Sequence, residues 1–204
     1  MKIICIGRNY VAHARELNNE IPEEPVFFLK PDSSLLRNND PFYIPGWTKE
    51  VHYETELVMR ICRLGKCIDK KYARRYYDEI GLGVDFTARD VQNDLKRKGL
   101  PWEKAKAFDQ AAVIGKNFIP IDRLPENNKI RFRLNVNGET VQEGNSGLMI
   151  FSFDEIIAHI SKYMTLKMGD LIYTGTPAGV GPVKMGDRLE GYLEDKKPFD
   201  FLIK

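Results

Sequence analysis

Two glutamates two residues apart, Glu54 and Glu56, lie in the run Val51-His52-Tyr53-Glu54-Thr55-Glu56-Leu57-Val58-Met59. The rest of this run is largely apolar and β-favouring, so it reads as a strand. Alternate strand residues share a face, which sets Glu54 and Glu56 side by side with His52 next to them. Val51, Tyr53, Leu57 and Met59 then take the opposite face, interrupted only by Thr55. Adjacent like charges on a strand repel. A fold that accepts this run must either leave the pair in water on a solvated edge strand or place a positive charge between them. A hard divalent cation satisfies the second condition. The run by itself leaves both readings open.

The remainder of the chain is ordinary enough to allow either. Its 204 residues suit one domain, 1–204, with no linker or composition shift to divide it. With 43% hydrophobic and 29% charged residues it reads as a globular chain able to bury a core. A net charge of +2 is too small to mark a nucleic-acid surface. The basic clusters at Lys70, Lys71, Arg74 and Arg75 and at Lys96, Arg97 and Lys98 read as solvated helix faces. No run reaches membrane-spanning length. Three cysteines, with no leader ahead of the first strand-like run, fit a reducing, cytoplasmic setting without a disulfide scaffold. Cys62 and Cys67 lack the partners of a zinc site and read as small buried apolar residues.

Along the chain, residues 2–6 form a strand-like run, and 10–18 a short helix carrying His13 and Glu16 on one face. A carboxylate three residues from an imidazole is either a general base with its orienter or a surface pair. Val26–Lys30 reads as a buried strand, 32–50 as loop, Leu64-Gly65-Lys66 as a hairpin turn and 69–78 as a helix. Residues 80–86 form a strand whose glycines imply close packing. It ends in Asp85, which, with Thr87, either belongs to a site or caps the helix 88–98. That helix presents Arg89 and Gln92 together. Lys104 and Lys106 precede Phe108 and either clamp an anionic substrate or reach out to water.

Later come a hairpin at Asn137-Gly138 and a capping-box helix from Ser152 to about Met164, in which His159 is structural. Two Lys-Met-Gly-Asp turns follow, at 167–170 and 184–187, and residues 199–203 form a last strand. The loop 175–181 is rich in glycine and lets backbone amides and the Thr176 hydroxyl approach an anion. It lacks the ending of a Walker loop.

Seven motifs, in order, resemble the fumarylacetoacetate hydrolase superfamily, and within it the acylpyruvase and oxaloacetate decarboxylase branch. They are Gly7-Arg8-Asn9-Tyr10 with His13 and Glu16, Phe28-Leu29-Lys30-Pro31, His52 to Leu57, Asp85 to Gln92, Lys106 with Phe108-Asp109, Met149-Ile150-Phe151, and Thr174-Gly175-Thr176-Pro177 with Gly179-Val180-Gly181. The resemblance implies a mainly β fold with helices (α+β), the mixed β-sandwich roll of that family's catalytic domain, usually homodimeric. Larger relatives carry an N-terminal domain for which this chain has no room. The resemblance makes Glu54, Glu56 and Asp85 ligands of Mg²⁺ or Mn²⁺. It gives Arg89, Gln92, Lys106 and Thr176 the carboxylate and keto oxygens of a 2-oxo acid. It makes His13 and Glu16 a base dyad on a lid spanning about residues 8–25. His52 falls to a supporting or packing role. Two departures bear on the pocket: Asn145-Ser146-Gly147-Leu148 stands where relatives commonly read Asn-Thr-Ser-Asp, and the loop from Gly181 to Lys184 is short.

Such a site stabilises an enolate at C3 of a chelating 2-oxo acid. With a 3-acylpyruvate, water activated by His13 attacks the distal carbonyl and the carbon–carbon bond breaks. With oxaloacetate the same platform releases CO₂ or interconverts keto and enol forms, and with a 2-hydroxy-dienoate it isomerises. The dyad leans the sequence reading toward hydrolysis.

Overall fold

The structure, a computed structural model, describes residues 1–17, 20–125 and 129–204. It is mostly sheet. The main sheet has eight strands in the order Val26–Lys30, Ile3–Gly7, Leu171–Tyr173, Thr55–Ile61, Tyr77–Asp85, Ala112–Ile114 and Leu35–Leu36, with Ile119–Pro120 added on Tyr77–Asp85. Ile3–Gly7 runs parallel to Leu171–Tyr173, and Leu35–Leu36 parallel to Ala112–Ile114; the other pairs are antiparallel. A four-stranded antiparallel sheet, Glu139–Asn145, Arg131–Val136, Arg188–Leu193 and Lys196–Leu202, packs against it.

Period-two alternation explains how the main sheet buries both faces. Ile4, Ile6, Leu57 and Met59 join the larger core with Phe132, Leu134, Phe199 and Phe201 of the second sheet. Ile3, Cys5 and Val58 join a smaller cluster with Tyr173 on the other side. The helix Phe153–Tyr163 adds Ile156, Ile157 and Ile160 to the larger core. Ser152 and Glu155 cap it reciprocally as the sequence predicts. Among the described residues, no helix is long and apolar enough to cross a membrane.

Several local expectations change. The run 51–61 is two strands, not one. Val51–Tyr53 pairs with Gly181–Pro182 and Thr87–Ala88 in a small third sheet, whereas Thr55–Ile61 belongs to the main sheet. Glu54 sits at the change of sheet, so uninterrupted alternation fails there. The helix expected over 69–78 covers only Lys70–Ala73, because Tyr77 already begins the strand that ends at Asp85. Leu64-Gly65-Lys66 does not join a hairpin; Gly65 bridges to Leu166. The helix expected over 10–18 is Val11–Glu16, and residue 18 lies outside the described residues. All three cysteines are free, but Cys62 is only half-buried and Cys67 is exposed with φ 51°, so neither is a buried apolar filler.

The two Lys-Met-Gly-Asp turns have the same construction. The aspartate side chain accepts from the lysine N–H, at 2.8 Å in Asp170 and 2.7 Å in Asp187, around a glycine of positive φ.

Candidate metal and substrate site

The ends of four elements meet at one cleft. Glu54 lies at the sheet change, Glu56 on Thr55–Ile61, Asp85 at the end of Tyr77–Asp85, and Arg89 and Gln92 on the helix Arg89–Arg97. All three carboxylates are buried, with one oxygen from each lying within 4.8 Å of the others. Of the residues singled out in the sequence, His13, Arg89, Gln92, Lys106 and Thr176 line the same cleft as these carboxylates. Glu16 stands behind His13, its Oε2 3.1 Å from the imidazole Nδ1. That contact leaves Nε2 as the ring nitrogen without a partner among the described residues.

The three acids have different surroundings. Glu54 is the best compensated. Its Oε1 accepts from Arg89 at 2.5 Å and from Thr87 at 3.0 Å, and its Oε2 from Lys106 at 2.9 Å. Burial pushes its pKa up, but the Lys106 and Arg89 charges, with His13 adding to them, hold it well below the usual carboxylate range. Asp85 accepts from Lys106 at 2.9 Å on Oδ2. Its Oδ1 lies 2.7 Å from Lys30 Nζ, yet outside hydrogen-bonding geometry, so this oxygen keeps an unspent acceptor. Glu56 accepts only the Gly175 N–H, at 2.6 Å, among the described residues. Burial, together with the Asp85 and Glu54 charges, drives its pKa well above the usual range.

This pattern fits a divalent cation. Two acids already share the Lys106 ammonium, a monovalent cation bridging Glu54 and Asp85. The third is starved of positive charge, and Asp85 Oδ1 is unspent. Three hard oxygen donors converging at this spacing are what Mg²⁺ or Mn²⁺ takes. Burial would lower the Lys106 pKa, but Asp85 and Glu54 override it and hold the ammonium well above its ordinary range.

Some expectations are redistributed. Asp85 and Thr87 do not cap the helix: its N-cap is Ala88, without a side-chain bond, and Thr87 serves Glu54 instead. The glycine-rich loop does bind anions, but the anions belong to the chain. Gly175 N–H bonds Glu56, and Gly179 N–H bonds Glu16 at 2.9 Å. Gly175 has φ 98°, and a Cβ there would lie 2.7 Å from Asn9 Cβ, so no larger residue brings this amide to Glu56. The Thr176 hydroxyl donates to Thr55 O at 2.9 Å and accepts from Gln142, so it has no proton left for a substrate. Its N–H has no partner among the described residues. Lys104 is exposed and takes no part. His52 bonds Glu50 at 2.7 Å and meets Arg89 Nε at 3.4 Å, which steadies the guanidinium that holds Glu54.

Three residues escape the sequence reading. Lys30 is wholly buried and donates to Phe86 O, Lys106 O and Ala111 O, fixing the backbone around Asp85. Asn9, also wholly buried, donates to Phe151 O and Thr174 O and accepts from Phe151 N–H, which ties the first motif to the last two. Gln142 bridges Thr55 N–H, Thr176 Oγ1 and Pro177 O. Lys30 and Asn9 lie within quoted motifs and Gln142 lies outside them, and the partners of all three are distant in sequence.

Residues 2–199 match the fumarylacetoacetate (FAA) hydrolase C-terminal family. The chain belongs to the fumarylacetoacetate hydrolase family. It is 42% identical over 202 residues to the mitochondrial oxaloacetate tautomerase FAHD1 of Bos taurus, covering 99% of this chain and 91% of that protein. It is 44% identical over 207 residues to a mitochondrial oxaloacetate decarboxylase of Dictyostelium discoideum, covering 100% and 94%. Among solved structures, fumarylpyruvate hydrolase from Pseudomonas aeruginosa, in complex with Mn²⁺ and pyruvate, aligns with a TM-score of 0.93 at 34% identity, covering 100% of this chain and 89% of that one. The mixed β-sandwich roll is thus the family's fold, and the chain sits among enzymes named for both enolate and hydrolytic chemistry. The named relatives favour tautomerisation or decarboxylation of oxaloacetate over the acylpyruvate hydrolysis toward which the dyad leaned.

Proposed function

We propose that this chain catalyses divalent-metal-dependent proton transfer at C3 of oxaloacetate, interconverting its keto and enol forms. The observation that carries this reading is the cleft, which His13 lines together with three carboxylates fit for a cation. Glu54, Glu56 and Asp85 would hold Mg²⁺ or Mn²⁺, which when bound would supply Lewis acidity toward a 2-oxo acid. Arg89 and Gln92, bonded to one another at 2.6 Å, orient the carboxylate end. Lys106 and the Thr176 N–H add fixed positive potential where charge builds on the substrate oxygen. His13, with its tautomer set by Glu16, would take the C3 proton at Nε2 as the keto form becomes an enolate whose oxygen takes a proton from solvent, and would give a proton to C3 in the reverse direction. Proton transfer at C3 needs no attacking water, so the dyad serves it as well as it would serve hydrolysis.

The likeness to a named oxaloacetate decarboxylase supports loss of CO₂ from the same substrate as a second outcome. The test follows the enol absorbance of oxaloacetate, with pyruvate release and acetylpyruvate cleavage measured in parallel. The expected result is fast, chelator-sensitive loss of the enol with slow acetylpyruvate cleavage. Rapid acetylpyruvate cleavage with oxaloacetate left at its uncatalysed rate would establish the hydrolase instead.

A further inference from the structure

Arg8 and Lys96 line the same cleft as the carboxylates but hold none of them. Lys96 follows Arg89 and Gln92 at helix spacings of three and then four, so the three share one face. It stands about 6 Å of helical rise beyond Gln92 and is half-buried where Arg89 and Gln92 are buried. Its Nζ lies 5.6 Å from the Trp102 ring centroid. Arg8 reaches the cleft from a different element, directly after the strand Ile3–Gly7, with φ 60°. A non-glycine residue occupies that region at a cost, and such outliers gather where a side chain must be aimed.

Neither cation has a carboxylate within ion-pair distance among the described residues. The contrast along the helix is sharp: the next two residues, Arg97 and Lys98, both pair with Asp94, at 2.5 and 2.6 Å. Partial burial and the nearby Arg89 and Arg8 guanidinium groups pull the Lys96 ammonium down to about 8. Two cations therefore converge, partly desolvated, on a cleft whose carboxylates lie beyond ion-pair distance of both and are bonded to other groups.

We propose that Arg8 and Lys96 form an anion subsite that takes the distal carboxylate of a short dicarboxylic 2-oxo acid, with Trp102 as its apolar wall. The proposal rests on the proposed function for the substrate's orientation, with the 2-oxo acid end at the carboxylate triad. A substrate with a methyl group in the distal position leaves both cations without a counter-charge, and this selects against it.

The experiment compares oxaloacetate with 2-oxobutanoate, the same chain with a methyl in place of the distal carboxylate. Enzyme-dependent uptake of solvent deuterium at C3 is measured for both on Mn²⁺-loaded protein. Lys96→Met and Arg8→Asn (asparagine tolerates positive φ) are each expected to lower kcat/KM for oxaloacetate by roughly tenfold, mainly through KM. The preference over 2-oxobutanoate should shrink by the same factor, and Lys96→Arg should retain most of it. An equal proportional loss on both acids, or an unchanged preference, overturns the proposal. If the wild type exchanges neither acid, the catalytic reading fails and calorimetric affinity decides the subsite. Tighter binding of oxaloacetate that collapses in Lys96→Met supports it, and equal affinity for the two acids overturns it.

Discussion

Among the described residues Glu56 accepts one hydrogen bond and faces two other carboxylates, so a proton and a divalent cation compete for its oxygens. Its folded pKa is raised, which means the metal-free fold binds this proton more tightly than the unfolded chain does. The resulting stability is full below the unfolded value of about 4.3 and is lost as pH rises through the folded value. Glu54 has the opposite sign: its depressed pKa contributes stability above about 4.3 that is lost as pH falls through the folded value. Glu56→Gln should therefore flatten the decline of metal-free stability above pH 4.3, as read from urea midpoints across pH. Lys106 yields a second expectation. Lys106→Met leaves Glu54 and Asp85 with one fewer buried cation and should cost the metal-free protein about 3–5 kcal/mol. It also removes the cation that competes with the metal, so Mn²⁺ should raise Tm more in the variant than in the wild type. A smaller Mn²⁺ shift in the variant would show that Lys106 helps to hold the metal.

At the scale of elements, the strand Tyr77–Asp85 carries the site because both its flanks are packed. A Cβ on Gly83 would lie 2.4 Å from Val113 O and 2.7 Å from the Tyr173 ring. Gly83→Ala should cost roughly 1–3 kcal/mol by overpacking, visible as a lower thermal midpoint. The helix Val11–Glu16 is tied to the glycine-rich loop through Glu16 and the Gly179 N–H. Glu16→Ala should reduce turnover by roughly tenfold or more while leaving Mn²⁺ affinity unchanged. Much of this was readable in the sequence. Asp85 stood out because a charge ending a buried strand needs a reason, and Ser152 with Glu155 announced its helix. Lys30 was not readable: in Phe28-Leu29-Lys30-Pro31 it looks like a strand end, and only the fold brings Phe86 O, Lys106 O and Ala111 O around it. The division of 51–61 was hidden for a related reason. Alternation describes a strand but does not say where the chain leaves one sheet for another, and Glu54 occupies that point. The anion-binding character of the 175–181 loop was legible from its glycines, whereas its actual anions, Glu56 and Glu16, depend on tertiary register.

The whole molecule is a sheet buried on both faces whose strands bring three carboxylates to one cleft, where two helices add Arg89 and Lys106 and the buried Lys30 stands behind Asp85. Lys30, Lys106 and Arg89 match the acids in number, yet among the described residues their ion pairs all go to Glu54 and Asp85 and none to Glu56. This uneven compensation is the physical basis for expecting a cation, and the cation is what would give the cleft its reactivity toward a 2-oxo acid. The central claim is tested most directly by titrating Mn²⁺ into metal-free protein, with occupancy and the rate of oxaloacetate enol–keto interconversion recorded on the same samples. The account predicts that rate rises in proportion to occupancy, and that Glu56→Gln weakens both together. Full interconversion by chelator-treated protein, or by Glu56→Gln without bound Mn²⁺, would contradict it.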